Sequence, residues 1–234
     1  MNNPVDKHTL EDVVVLVPMH NEEDVIAEVI SGLQNIFANI VVLDDGSTDR
    51  SAMIVRELGV RVISHAVNLG QGAAIKTLFD YICSLDHVFA VITFDADGQH
   101  SPEDAEMLAR EIIECEEDVI FGTRFLEKND GVPLLKKLVL KIATQITNAL
   151  CKVCLSDTHN GLKALKVSAI KNLALDINGY AFESQLVMEV GTKAIKYKEM
   201  KTYISYTDYS VAKGQSLRNS LVIAEDIINL VRLK

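Results

Sequence analysis

Val13 to Val17 is an unbroken apolar run, mostly β-branched, that stops at Pro18, which is the pattern of a strand buried on both faces. From Glu22 to Phe37 the spacing changes. Val25, Ile26, Val29, Ile30 and Leu33 recur at helical intervals, and the acidic residues at the start favour a helix N-terminus. Ile40 to Leu43 predicts a second strand, Ser47 or Thr48 caps a helix to Leu58, and Val60 to Ser64 predicts a third strand. Gly70 to Ser84 reads as a helix and Val88 to Phe94 as a fourth strand. Ser101-Pro102-Glu103-Asp104 then supplies an N-cap, a proline at the first helical position and early acidic residues. That helix runs to about Cys115, before a fifth strand over Val119 to Gly122. Such alternation predicts an α/β fold with a mostly parallel central sheet, right-handed crossovers and flanking helices.

The second half is less regular. Val132 to about Leu155 is a long helical pattern that sets Lys136, Lys137, Lys141 and Lys152 among Leu134, Leu135, Leu138, Val139 and Ile142. Such a helix can lie in a membrane interface, or pack on the domain with its lysines solvated. A turn-rich piece, Ser156 to Gly161, precedes Leu162 to Leu165 and a short helix. Phe182 to Lys193 is helical, Tyr197 to Tyr206 extended, and Ser216 to Lys234 a final amphipathic helix. The expected organisation is an N-terminal tail over 1–10, one domain over 11–215 and the C-terminal helix over 216–234. Within the domain, 11–125 is the regular half and 126–215 the less regular one. The final helix can dock on the domain, on a second subunit as a homo-oligomer, or on a membrane.

Composition narrows the chemistry. With 234 residues and 48% hydrophobic content the chain supports one sizeable core. A formal net charge of -10 disfavours nucleic acid as a partner. Cys151 and Cys154 form a lone C-x-x-C without a second pair at zinc spacing, and on a helix both thiols fall on one buried face. The polar, acidic start carries no signal-peptide apolar region and no run of 18 apolar residues occurs, so the expected location is the cytoplasm, with peripheral contact at the inner face of the membrane.

Parallel sheets bind ligands in the loops at the carboxyl ends of their strands. Three such loops are polar: Pro18-Met19-His20-Asn21-Glu22, Asp44-Asp45-Gly46-Ser47, and Asp95-Ala96-Asp97-Gly98-Gln99. Two carboxylates alone would repel a nucleoside diphosphate. With Mg2+ or Mn2+ between them repulsion becomes bridging, because these hard cations accept oxygen from carboxylate and phosphate alike. Asp95 and Asp97 are the candidate metal ligands, and Gln99 adds a neutral amide oxygen. Asp44 and Asp45 can accept hydrogen bonds from a base N–H or a ribose hydroxyl, with Gly46 permitting the tight turn. Asn68-Leu69-Gly70-Gln71-Gly72 opens a helix at which Gly70 lets backbone approach a ligand; it lacks the third glycine and the position of a dinucleotide fingerprint.

Taken together, these segments resemble glycosyltransferase family 2, whose fold is GT-A. The resemblance rests on Val15 to Glu23, Val41 to Asp49, Asn68 to Gly72 and Phe94 to His100, in matching order and spacing. Within the family the chain looks most like the polyprenyl-phosphate (dolichyl-phosphate mannose synthase-like) branch, through Gly122-Thr123-Arg124, Asp157 to Lys163 and Gly179 to Glu183. The resemblance implies that Pro18, Asn21, Glu22, Asp44 and Asp45 hold the nucleotide, and that Asp95-Ala96-Asp97 with Gln99 holds metal and diphosphate. It places Arg124 and Lys163 near an acceptor phosphate. Lysine at 163 departs from the usual arginine, losing bidentate recognition but keeping the charge. Leu217, after Gly214-Gln215-Ser216, stands where a lysine often follows.

The implied activity is inverting transfer of a hexosyl group from a UDP- or GDP-sugar to a polyprenyl phosphate, in cell-envelope glycan synthesis. An ionised lipid phosphate needs no strong base, only neutralisation by Arg124, Lys163 and Lys213. A saccharide hydroxyl acceptor instead requires a carboxylate base, for which Asp157 and Glu183 are the candidates. A sugar-nucleotide pyrophosphorylase would carry a glycine-rich loop with arginine after the first strand, and a non-catalytic nucleotide-sugar binding protein need not keep Asp95, Asp97 and Arg124 together.

Overall fold

The computed structural model describes residues 8–125, 134–158, 160–175 and 181–205. Lys213, the C-terminal helix, His159 and Gly179-Tyr180 lie outside the described residues, as do the side chains of Lys136 and Lys137. Strands β1 (Val13–Met19), β2 (Ile40–Asp44), β3 (Arg61–Ser64), β4 (Ala90–Thr93), β5 (Val119–Thr123), β6 (Lys163–Lys166) and β7 (Tyr197–Lys201) form one 7-stranded sheet in the order β3-β2-β1-β4-β6-β5-β7. All neighbours pair in parallel except β6, which runs antiparallel to both β4 and β5.

Helices cover both faces: α1 (Ile26–Gln34), α2 (Ser51–Glu57), α3 (Gln71–Cys83), α4 (Pro102–Glu114), α5 (Leu134–Cys151), α6 (Val167–Ile170) and α7 (Ala181–Thr192). Alternation along β1 divides the core. Val13, Val15, Val17 and Met19 pack with α1 and α4, through Ile30, Leu33 and Leu108. Val14 and Leu16 face the other way, toward Leu78 and Ile82 of α3 and Phe182 and Leu186 of α7. Each such side chain, fully withdrawn from water, stabilises the fold by roughly 1.5–3 kcal/mol.

The α4 start follows its sequence signals: Ser101 is the N-cap, its hydroxyl accepting from the Asp104 N–H at 3.0 Å, with Pro102 next. Two other predicted helix starts are displaced, for one reason. The Glu22 N–H donates to Ser51 Oγ at 2.7 Å and the Glu23 N–H to Asp49 Oδ2 at 3.2 Å, so α1 begins only at Ile26. Ser47 accepts from the Asn21 N–H at 3.0 Å instead of capping, and α2 begins at Ser51 after Arg50. The polar residues of these loops tie the loops to each other, and Asp49 also serves its own helix, its Oδ1 accepting from the Ser51 N–H at 2.9 Å.

Helix α5 ends at Cys151, where Lys152 takes a positive φ of 58°. Cys151 is buried but Cys154 is exposed, correcting the expectation of two thiols on one buried helical face. Asn148 clamps the chain beyond the helix, donating to the Leu155 carbonyl at 2.7 Å and accepting from its N–H at 3.1 Å. Among the described residues no helix is long and apolar enough to cross a membrane.

Candidate active site

Strands β1, β2, β3, β4, β5 and β7 are linked by parallel pairing or run in the same sense, so their carboxyl ends share one edge of the sheet. The antiparallel β6 brings its amino end to that edge: Thr93 pairs with Lys163, and Phe121 with the same Lys163. One reversed strand therefore sets a lysine between the loop carrying Asp95 and the strand end carrying Arg124.

The nucleotide-side residues are cross-braced. Asn21, at a positive φ of 54°, accepts from the Thr48 N–H through Oδ1 at 2.8 Å. Pro18 lies within β1, and Glu22 is buried beside the start of α1. Asp44 Oδ1 accepts from the Ser47 N–H at 2.9 Å. Asp45 is 3% exposed and bonded through both oxygens: Oδ1 accepts from Leu69 N–H at 3.0 Å and Oδ2 from Gly70 N–H at 2.8 Å. His65 Nδ1 lies 2.7 Å from Asp45 Oδ1, and His65 Nε2 lies 3.0 Å from Thr77 Oγ1. Gly46 has a positive φ of 68°, and a Cβ there would overlap the backbone of Val67 and Asn68.

Asp95 and Asp97 flank the buried Ala96 just past β4. Burial pushes the Asp97 carboxyl up to about 6, and the neighbouring Asp95 charge adds to the shift. Burial acts on Asp95 in the same direction, but His100, Lys163 and Arg124 nearby outweigh it and leave its pKa below the usual carboxylate value. The two carboxylates thus compete for ionisation across one small space. Gln71 Nε2 donates to Asp95 Oδ1 at 3.2 Å, and His100 Nε2 stands 3.6 Å from Oδ2. Gly161 closes the other side, since a Cβ on it would run into the Asp95 carboxylate. The Thr93 hydroxyl holds that glycine in place by donating to its carbonyl at 2.7 Å. The Gln99 N–H donates to Asp97 Oδ1 at 3.1 Å, and the Gln99 carboxamide has no partner among the described residues. Among those residues no three His, Cys, Asp or Glu side chains converge into a complete metal cage.

Past the end of β5, the Arg124 guanidinium grips Asp157 with two bonds, Nε to Oδ2 at 2.6 Å and Nη2 to Oδ1 at 2.8 Å. A carboxylate so engaged is a poor proton acceptor. Lys163, 2% exposed, donates to the Asn160 carbonyl at 2.5 Å and pairs with Glu183 Oε2 at 2.5 Å. Burial raises the Glu183 pKa; Lys163 opposes the shift, while Asp95 and Asp157 add to it. Glu199 on β7, which no local sequence pattern marks, accepts from Ser156 N–H at 2.7 Å, Ser156 Oγ at 2.8 Å and Asp157 N–H at 3.3 Å. It fixes the turn that presents Asp157. Gln71 and His100 were readable only as members of polar segments, and His65 lies in none; the partners lie 24 residues away for Gln71 and 20 for His65.

Residues 14–174 match the sequence profile of glycosyl transferase family 2. A UDP-N-acetylglucosamine–dolichyl-phosphate N-acetylglucosaminyltransferase of Methanococcus voltae is 30% identical over 227 residues, covering 88% of this chain and 90% of the relative. A dolichol-phosphate mannosyltransferase of Pyrococcus furiosus is 30% identical over 233 residues, 94% of this chain and 63% of the relative. Glucosyl-3-phosphoglycerate synthase from Mycobacterium tuberculosis, solved with Mn2+, UDP and glucosyl-3-phosphoglycerate, superposes with a TM-score of 0.70 at 19% identity over 95% of this chain and 81% of its own. That likeness concerns the fold, which is GT-A. The chain belongs to glycosyl transferase family 2 and is a glycosyltransferase similar to the dolichyl- and polyprenyl-phosphate branch.

Proposed function

We propose that this glycosyltransferase moves a sugar, with inversion, from a UDP- or GDP-sugar to a polyprenyl-phosphate-type acceptor. The observation that carries the reading is the placement of two buried cationic side chains at the ligand edge: Lys163, paired with Thr93 two residues before Asp95, and Arg124, just past β5, which together with His100 favour ionised Asp95. Lys163 is paired with Glu183 and Arg124 with Asp157, and an acceptor that arrives with its own negative charge would share both cations. The named relatives act on dolichyl phosphate, which supports the same class.

A divalent cation fits the residues present. Asp95, Asp97 and the Gln99 amide offer hard oxygen donors of the kind Mg2+ and Mn2+ take, and burial together with the Asp95 charge raises the Asp97 pKa, a cost that a bound cation would offset. Bound there with the donor, a cation supplies Lewis-acid stabilisation to the departing diphosphate. Asn21, Glu22 and Asp44 bind the nucleotide beside the β1 and β2 ends, and Asp45 shapes that pocket. Lys163 and Arg124 draw the acceptor phosphate into line with the anomeric carbon. The phosphate oxygen forms the new bond as the bond to the diphosphate breaks, so the configuration inverts and no proton need be removed.

Residues 11–215 form the catalytic domain in this reading, and peripheral contact at the inner membrane face brings the lipid within reach. Incubation with Mn2+, a panel of UDP- and GDP-sugars and a short polyprenyl phosphate should release nucleoside diphosphate and give the inverted anomer by NMR. Turnover confined to saccharide acceptors would contradict the lipid-phosphate reading and would shift the base role to Glu183.

A further inference from the structure

The carboxylate of Asp95 is held in place from outside its own loop. Gln71 Nε2 donates to Oδ1 at 3.2 Å, while Gly161 leaves no room on another side. Gln71 is the first residue of α3, so its reach depends on where that helix begins. The start of α3 is fixed by Asp45, which takes the N–H groups of Leu69 and Gly70, at 3.0 and 2.8 Å. Gly70 adopts a φ of 93°, a conformation other residues rarely enter, so the turn delivers Gln71 at a defined angle. Asp45 is itself braced by His65, whose other ring nitrogen meets Thr77 on α3. Because a carboxylate only accepts, His65 Nδ1 carries the proton in this contact. The relay therefore starts on α3, passes through Thr77, His65 and Asp45, returns to the head of the same helix, and ends on Asp95.

We infer that Gln71 is a positioning residue for Asp95, and that Asp45 acts on the metal side of the site by setting Gln71 through the Leu69–Gly70 amides. The inference rests on the proposal that Asp95 and Asp97 hold a divalent cation. An amide N–H on one lone pair of Oδ1 fixes the carboxylate rotamer and leaves its remaining lone pairs for a cation. Partners of this kind around metal ligands are worth roughly 10–100-fold in metal affinity when removed. Gln71 is only partly buried, which points to the lower end. The loop after β2 and the loop after β4 thereby behave as one unit: a change at the nucleotide side is felt at the cation.

The test is Mn2+ titration of the full chain, followed by electron paramagnetic resonance, for the wild type, Gln71→Leu, Asp45→Asn and the double variant. Gln71→Leu removes the donor from a partly exposed position without disturbing the core. The expected result is about tenfold weaker Mn2+ binding for Gln71→Leu. In turnover assays its KM for Mn2+ rises while kcat at saturating Mn2+ stays within about twofold, a split that general destabilisation would not produce. Asp45→Asn should weaken Mn2+ binding as well, and the double variant should be no weaker than Gln71→Leu alone. If the wild type binds Mn2+ and Gln71→Leu binds it equally well, the inference is overturned while the metal reading stands. If the wild type binds no Mn2+ with or without nucleoside diphosphate, the metal reading fails and the inference falls with it. Should Asp45→Asn not fold, Gln71→Leu decides the matter alone.

Discussion

Asp97 carries an electrostatic cost in the metal-free site. Its pKa rises from 3.8 to about 6 because burial and Asp95 both disfavour its charge. An acid with a raised folded-state pKa binds protons more tightly when folded. Its unfavourable contribution is therefore absent below pH 3.8 and complete above about pH 6. The metal-free protein should lose stability as pH rises through that window, and Mn2+ should restore it. Asp97→Asn should melt a few degrees higher than the metal-free wild type at pH 7.5, lose stabilisation by Mn2+ and lose turnover; calorimetry with and without the ion reads all but the last. Asp157 makes the opposite case. Bound through both oxygens to a buried guanidinium, it serves structure before proton transfer. Asp157→Ala should cost about 3–5 kcal/mol in urea unfolding, since it strands the Arg124 charge. A variant as stable as the wild type would remove the ion pair from the account. The aspartates were legible in the sequence because each sits at the end of an apolar run. The charge balance between Asp95 and Asp97 was not, because it depends on how the chain folds His100 back toward Asp95 and on Lys163 and Arg124, which lie far along the chain.

At the scale of elements, strands and helix bodies were readable from local pattern, and α4 followed its capping signals residue for residue. The starts of α1 and α2 were not, because Ser47, Asp49 and Ser51 spend their side chains on contacts across 26 to 29 residues of sequence. The same limit hid the reversal of β6: a stretch of four residues, Lys163 to Lys166, does not say in which direction it pairs. That reversal is what carries Gly161 onto Asp95 and Lys163 to the ligand edge. Gly161→Ala should accordingly keep the fold with a modest loss in melting temperature, yet bind Mn2+ at least tenfold more weakly, as seen by titration. Unchanged binding would mean that the 160–161 turn does not press on the carboxylate.

For the molecule as a whole, the sheet order places a four-strand parallel unit, β3-β2-β1-β4, beside a mixed unit of β6, β5 and β7. The first supplies carboxylates and amides, and the second supplies the cations that face them. In the proposed reading a diphosphate leaving group needs the first, and a charged acceptor needs the second. This division explains why the donor side could be read from compact motifs, while the acceptor side needed the fold before Arg124 and Lys163 could be seen beside Asp95. The most direct test follows labelled sugar from a UDP- or GDP-sugar donor into the organic phase in the presence of a short polyprenyl phosphate. Wild-type protein should transfer the label with Mn2+ and stop on chelation, and Asp97→Asn should transfer none in either condition. Undiminished transfer by Asp97→Asn, or transfer by wild type that ignores the chelator, would contradict the account.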